Sequence, residues 1–301
     1  MLEEVLEALN PKASEIAVDC TLGNAGHALA ILERLGPEGK LIGLDWDADN
    51  LPQARERLAA IDFPFSVHHS NFAGLPKILA AEQLTGVDLV LADLGMSSMQ
   101  VDDADRGFSY VRDGPLDMRM DRSRGRKATE ILATIPEVDL AQALRELGDE
   151  PDAERIAQAL VTARERSPLV RTADVTRVIG ESVGQPVTRD AGWRLRPRPN
   201  EWKLHPAART FQALRLLVNR ELANLQELLR VLPSCLRPGG RVAIISFHSG
   251  EDRLVKATFR DGLNQGAYAE ASDEPMRASE AERIANPRAR SAKLRWARRI
   301  E

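Results

Sequence analysis

The 301-residue sequence predicts an α/β protein: an open, Rossmann-like parallel sheet interrupted in sequence by an inserted all-helical domain. Three observations predict it. Short apolar runs alternate with helical patterns up to residue 95. The alternation then stops, and residues 105–204 carry helical periodicity without a strong buried strand. It resumes at 241–247 (RVAIISF), another buried apolar run. Strands that alternate with helices build βαβ units and hence a parallel sheet. The expected domains are 1–104 and 205–301, two parts of one sheet domain, with 105–204 as the insert.

In chain order, residues 15–20 (EIAVDC) read as a first buried strand, followed by a glycine-bearing turn and a helix over 28–35. Residues 41–47 (LIGLDWD) make a second strand, and 48–60 a helix in which Pro52 fits only the first turn. Residues 64–70 and 86–95 suit a third and a fourth strand. In the insert, helical patterns recur, with Asp139, Asp152 and Thr172 as expected N-caps. Residues 185–204, rich in Pro, Arg and Trp, read as a loop. One long amphipathic helix is expected from Pro206 to about residue 232, then a turn at 237–240 (RPGG).

The net charge of −4 and a 43% hydrophobic content exclude a disordered chain and by themselves indicate no nucleic-acid partner. The charge is unevenly spread, however. Residues 122–127 (RSRGRK), 194–198 (RLRPR) and 288–299 (RARSAKLRWARR) are locally basic and suited to phosphate. No apolar run approaches a membrane span, and the acidic start lacks signal-peptide features. Cys20 and Cys235 stand far apart without a metal or disulfide pattern, so a reduced, cytoplasmic setting is expected.

Chemistry concentrates at the strand ends. The segment 19–27 (DCTLGNAGH) closes the first strand and opens the first helix, and its small residues let backbone N–H groups approach a ligand. Asp45 ends the second strand, where a carboxylate accepts hydrogen bonds from the ribose hydroxyls of an adenosine-bearing cofactor. NAD and S-adenosylmethionine both satisfy that geometry. The absence of G-x-G-x-x-G and the acidic Asp19 favour S-adenosylmethionine, which carries a sulfonium and an ammonium but no pyrophosphate. The fourth strand ends in Asp93-Leu94-Gly95. A carboxylate there can accept an N–H from an exocyclic amine and take up its proton, and the Leu94 carbonyl is as well placed. No metal is expected, because the carboxylates at 102, 103, 105, 117 and 121 fit no calcium loop and suit loop capping and Arg pairing.

Four blocks then resemble ribosomal RNA small subunit methyltransferase H: 93–121 (DLGMSSMQVDDADRGFSY with DGPLDMRMD), 205–222 (HPAARTFQALRLLVNREL), 245–256 (ISFHSGEDRLVK) and 286–295 (NPRARSAKLR). Residues 148–160 (GDEPDAERIAQAL) resemble that family's inserted domain. The resemblance implies a class I methyltransferase sheet. It also implies S-adenosyl-L-methionine as cofactor and methyl transfer to the exocyclic N4 of a cytosine in the decoding region of 16S ribosomal RNA; naked RNA and the assembled small subunit both stay open as the substrate, the near-neutral charge favouring the subunit. Carried over residue by residue, it assigns cofactor binding to Ala25, Gly26, His27, Asp45, Phe72, Asp93 and Gln100, with Asp93 also catalytic.

The chain departs from the family's pattern at several positions. Met1 falls at the first helix, so either the family's short leader is absent or the start site is wrong; Ala25 replaces Gly, Met99 replaces Pro and Gly250 replaces Leu. The change at 25 is mild provided that residue keeps φ below zero. Trp46 is placed to cover an adenine edge. For an unpaired target base, Phe108, Tyr110, Trp193 and Trp202 are stacking candidates. Arg288, Arg290, Lys293 and Arg295 are phosphate candidates. His248, Ser249, Glu251 and Asp252 lack a hydrolase elbow and are expected to order a strand-to-helix turn. Two other readings stand beside this one: an NAD-linked oxidoreductase, and a non-enzymatic ribosome-assembly factor of the same fold.

Overall fold

A computed structural model describes residues 1–184 and 205–301. The chain opens with α1 (Leu2–Leu9), β1 (Ile16–Asp19), α2 (Gly26–Leu35), β2 (Lys40–Asp45), α3 (Leu51–Ala59), β3 (Phe65–His69), α4 (Leu75–Ala81) and β4 (Val87–Asp93). It continues through α5 (Ser98–Asp102), α6 (Ala128–Thr134), α7 (Glu137–Gly148), α8 (Ala153–Arg166), α9 (Thr172–Ser182), α10 (Ala207–Asn219) and α11 (Glu221–Cys235). It ends with β5 (Leu236–Ser246), α12 (Ser249–Asn264), β6 (Tyr268–Ala271), α13 (Glu280–Ala285) and β7 (Lys293–Arg299). Two compact units result: Met1–Gly95 with Leu222–Glu301, and Met96–Glu221.

The first unit is the expected Rossmann-like α/β sheet. Its seven strands run β3-β2-β1-β4-β5-β7-β6. The pairs among β1 to β5 are parallel, and β7 runs antiparallel to both β5 and β6. Strand residues alternate between two cores, as the period of two in a strand requires. Ala17, Leu41, Leu89 and Ala243 face one core with Leu9 of α1, Leu32 of α2 and Leu58 of α3. Val18, Ile42, Val90 and Val242 face the other with Leu79 of α4, Leu228 of α11 and Phe259 of α12. Because both faces are covered, the strands read as continuous apolar runs, which is why they were legible. Each fully buried Leu or Ile stabilises by roughly 1.5–3 kcal/mol.

The second unit is helical around its own core, in which Leu140 and Leu144 of α7, Ile156 and Leu160 of α8, Val175 and Ile179 of α9 and Phe211 and Leu214 of α10 meet. Its ends differ from the sequence expectation of 105 and 204. Phe108, Leu116 and Met118 of the loop before α6, and Ala207 to Leu214 of α10, pack into the helical core. Apolar burial therefore draws both flanks into this unit.

Other differences have local causes. The long helix expected from Pro206 is two helices, broken at Arg220 with φ 50°. Asn219 anchors the break: its Nδ2 donates to the Met118 carbonyl at 2.8 Å and its Oδ1 accepts the Met120 N–H at 2.8 Å. The RPGG segment is not a turn but part of β5, with Gly239 at φ 73° and a register shift opposite Val87 and Leu89. Arg237 fixes this irregular start through its ion pair with Asp88 at 2.9 Å. The N-cap of α7 is Pro136 rather than Asp139. That of α9 is Arg171, while Thr172 lies buried inside the helix and its Oγ1 donates to the Arg112 carbonyl.

Candidate functional site

Three carboxylates close three neighbouring strands of the first unit at their C-terminal ends: Asp45 on β2, Asp19 on β1 and Asp93 on β4. Ligands of open parallel sheets bind at that edge. The turn after β1 ties the three together. The Thr21 N–H donates to Asp19 Oδ1 at 3.0 Å, and Thr21 Oγ1 accepts the Asp93 N–H at 2.6 Å. The Gly23 N–H donates to Asp45 Oδ2 at 2.7 Å. Asp45 Oδ1 accepts the Asp47 N–H at 2.7 Å, and Asn50 Nδ2 donates to Oδ2 at 3.3 Å. Asp45 is thus held rigidly, with acceptor capacity left on its two oxygens.

Gly23 and Ala25 both take the left-handed conformation, at φ 48° and 58°. The condition under which Ala25 was expected to be mild therefore fails. An L-residue in that region is strained by about 1–2 kcal/mol, because its Cβ crowds the following carbonyl. Ala25 is fully buried and its N–H donates to the Leu22 carbonyl at 2.7 Å, so the turn cannot relax cheaply. At Gly26, the first residue of α2, an added Cβ would meet nothing within 4 Å, so the helix start is open.

The site is electrostatically negative. Burial raises the Asp19 carboxyl from 3.8 to about 6; the Thr21 N–H and the His27 charge oppose that rise, while Asp93 and Asp45 add to it. Burial likewise raises Asp45, restrained by the N–H groups of Asp47 and Gly23. The His27 imidazole is pushed down by burial but pulled up further by Asp93, so its net shift is upward. His27 Nε2 stands 3.6 Å from Asp93 Oδ2, an ion-pair distance. Asp93 Oδ1, His27 Nδ1 and Trp46 Nε1 are buried without a hydrogen-bond partner among the described residues. A buried acceptor left unpaired costs about 1–3 kcal/mol, so Asp93 Oδ1 is set up to receive a donor.

The other sequence-predicted residues lie as follows. Phe72 opens a short 3-10 turn after β3, half-buried against the core on the α4 side. The same loop is tied to the site by the Ser70 N–H, which donates to the Asp45 carbonyl at 3.0 Å. Trp46 follows Asp45 directly, and its carbonyl accepts from His69 Nε2 at 3.1 Å. Gln100 lies in the second unit, where its side-chain oxygen accepts the Ser97 N–H at 2.9 Å in the capping box of α5. Sequence reasoning passed over Thr21, Asp47 and Asn50, whose roles depend on loop geometry.

Several substrate-side expectations need correction. Phe108 is a core residue, 5% exposed, with the Arg106 guanidinium 5.8 Å from its ring centroid. Tyr110 stacks on His205 at 4.7 Å. Lys293 and Arg295 are committed elsewhere: both pair with Asp252, at 2.8 and 2.7 Å, and Arg295 is buried in the sheet. In the loop before α6, Arg119 pairs with Asp117 and Arg124 with Asp121. His248 caps α12, its Nδ1 accepting the Glu251 N–H at 3.4 Å. Its Nε2 lies 3.1 Å from Glu251 Oε1 without hydrogen-bond alignment. Trp193, Trp202 and residues 194–198 lie outside the described residues.

Among the described residues no group of His, Cys, Asp and Glu is arranged to hold a metal ion. No helix there is long and apolar enough to cross a membrane. The model of the MraW methylase family matches residues 1–300. The chain is 43% identical over 313 residues to ribosomal RNA small subunit methyltransferase H of Geobacter sp. strain M21, covering 99% of this chain and 96% of that protein. It is also 43% identical over 310 residues to the protein of that name from Methylococcus capsulatus, covering 99% and 98%. To that from Chromobacterium violaceum it is 42% identical over 314 residues, covering 99% and 93%.

Proposed function

Because this chain belongs to the MraW methylase family, we propose that it transfers a methyl group from S-adenosylmethionine to the exocyclic N4 of a cytosine in the decoding region of 16S ribosomal RNA. The relatives' shared name supports ribosomal RNA of the small subunit as the substrate class. The four sequence blocks support the N4 position. The observation that carries the reading is the set of three carboxylates at adjacent strand ends, with Asp93 Oδ1 buried and unpartnered.

These residues suit the cofactor. S-adenosylmethionine, when bound, supplies a methyl group activated on a sulfonium. A phosphate-bearing cofactor would be repelled by Asp19, Asp45 and Asp93, whereas an ammonium and a sulfonium offset the burial, and the lesser repulsion from Asp93 and Asp45, that raise Asp19 to about 6. Asp45, fixed by two backbone N–H groups, offers its remaining lone pairs to ribose hydroxyls. Phe72 and Trp46 flank the loops after β3 and β2 and offer faces to an adenine. Ala25, Gly26 and His27, in the turn after β1 and at the start of α2, would hold the rest of the cofactor.

The acceptor amine is a poor nucleophile, because its lone pair is delocalised into the pyrimidine ring. Asp93 Oδ1 accepts one N–H, localises the lone pair on nitrogen and takes up the proton as the C–N bond forms and the methyl–sulfur bond breaks, its electron pair leaving with sulfur as a neutral thioether. Holding the reactants in line accounts for most of the rate gain. The natural setting is the cytoplasm, where small subunits are made. The test is incubation of the purified protein and S-adenosylmethionine with small subunits lacking the mark, followed by nucleoside analysis. N4-methylated cytidine is expected; no methyl product, with reduction of NAD in a parallel incubation, supports an oxidoreductase, and particle binding without turnover an assembly factor.

A further inference from the structure

The second unit carries a groove of about 530 Å³ between α8 and α9. Its rim follows from helical spacing. Arg155, Gln158, Thr162 and Arg166 recur at intervals of three or four residues, so they form one stripe along α8. Arg177 and Glu181, one turn apart, form the facing stripe of α9. The floor is apolar, closed by Leu169 and Val178 at 6% and 4% exposure. The rim side chains of α8 and Arg177 are exposed to solvent.

The rim carries three guanidinium groups against two carboxylates. Asp174 also borders the groove, but one of its oxygens is used, accepting the N–H groups of Val170 and Arg171 at 3.1 and 2.9 Å. Glu181 sits against Arg177 at 3.3 Å and Arg155 against Asp152 at 2.6 Å, both solvent-screened surface pairs that hold their partners weakly. Arg166 has no hydrogen-bond or ion-pair partner among the described residues. A polyanion displaces such pairs at little cost. From Arg155 to Arg166 the stripe spans about 16 Å at 1.5 Å per residue, long enough to follow several consecutive phosphates of one strand.

We propose that this groove binds the sugar–phosphate backbone of a single-stranded RNA segment, through Arg155, Arg166 and Arg177. The inference rests on the RNA-substrate reading above and adds a contact surface remote in sequence from the strand-end site. Gln158 and Thr162 complete it as neutral donors to phosphate or ribose oxygens. The apolar floor lets one base turn inward while the backbone stays at the rim.

The test uses the full chain and the triple variant Arg155→Gln/Arg166→Gln/Arg177→Gln, with Arg230→Gln, an exposed side chain of α11, as a surface control. Glutamine matches arginine in helix propensity, so both fold. Affinity for a 16S ribosomal RNA fragment and for unmethylated small subunits is measured against salt. The triple variant is expected to bind both about tenfold more weakly near 0.1 M salt. Its slope of log K against log salt should be shallower by about 2, since each single-strand phosphate contact contributes roughly 0.7. Cofactor affinity stays unchanged. Unaltered affinity and slope, with the parent chain binding and methylating normally, overturn the groove assignment alone. Loss with subunits but not with naked RNA assigns the groove to a ribosomal protein and also overturns it. A parent chain that neither binds nor methylates RNA removes the substrate reading, and this inference with it.

Discussion

Thr21 and Asp93 are joined by a hydrogen bond from the Asp93 N–H to Thr21 Oγ1 at 2.6 Å. The same threonine donates to Asp19 Oδ1 through its backbone N–H at 3.0 Å and its hydroxyl at 3.4 Å, so one residue on the β1 turn ties together two of the three strand ends that carry the carboxylates. Thr21→Val keeps the shape and removes the acceptor. Under the proposed mechanism kcat falls about tenfold or more while KM for the cofactor changes little, and Thr21→Ser restores most of it. An equal loss in the serine variant would assign Thr21 to packing alone.

Asp19 makes cofactor binding pH-dependent. Its folded value of about 6 lies above its ordinary 3.8. Between those limits the folded chain holds a proton that the unfolded chain has released, so this group's contribution to stability is greatest at the acid end and is lost as pH rises to about 6. A bound cation reverses that preference and expels the proton. Affinity for S-adenosylmethionine should therefore weaken as pH falls below about 6, approaching tenfold per unit, with proton release seen by calorimetry in buffers of different ionisation heat. Asp19→Asn should flatten that profile; a flat profile in the parent chain contradicts the assignment.

Ala25 holds a left-handed conformation at φ 58° while fully buried. Ala25→Gly relieves the Cβ strain of about 1–2 kcal/mol and raises unfolded-chain entropy by somewhat less. A net stabilisation of up to about 1 kcal/mol is expected in urea unfolding, with methyl transfer retained. Destabilisation would show that the methyl group contributes more through packing than the turn costs.

Arg295, for all its place in a basic segment, is structural. Buried beside Asp252, it holds that carboxyl below the ordinary range despite burial, with Lys293 assisting. Asp252 thus stabilises the fold above its ordinary value, and that contribution is lost as pH falls through the lowered one. Arg295→Ala leaves a buried carboxylate short of its partner, at a cost of about 3–5 kcal/mol. A large drop in unfolding midpoint is expected. A variant of normal stability with selectively weakened RNA binding would restore the phosphate role.

The first four strands and β5 were legible because both faces of the parallel sheet are buried, as in 41–45 and 241–245. The strand ends gave Asp45 and Asp93 by the same logic. What the sequence hid depends on tertiary pairing. β7 reads as KLRWARR, and its arginines are explained by pairing: Arg295 with Asp252, Arg298 with Glu270, and Arg299 donating to the Leu236 carbonyl. The break at Arg220 is set by Asn219 reaching a loop some hundred residues earlier. The sign of φ at Ala25 follows from the closure of the turn on Leu22, which no propensity scale contains.

The central claim is that Asp93 serves the acceptor amine at the end of β4. Its most direct test is single-turnover methyl transfer from labelled S-adenosylmethionine to unmethylated small subunits, comparing the parent chain with Asp93→Ala at saturating cofactor. N4-methylcytidine is expected from the parent chain, and a rate at least about a hundredfold lower in the variant, with cofactor still bound. An undiminished rate in Asp93→Ala, or label on any other nucleoside, would contradict it.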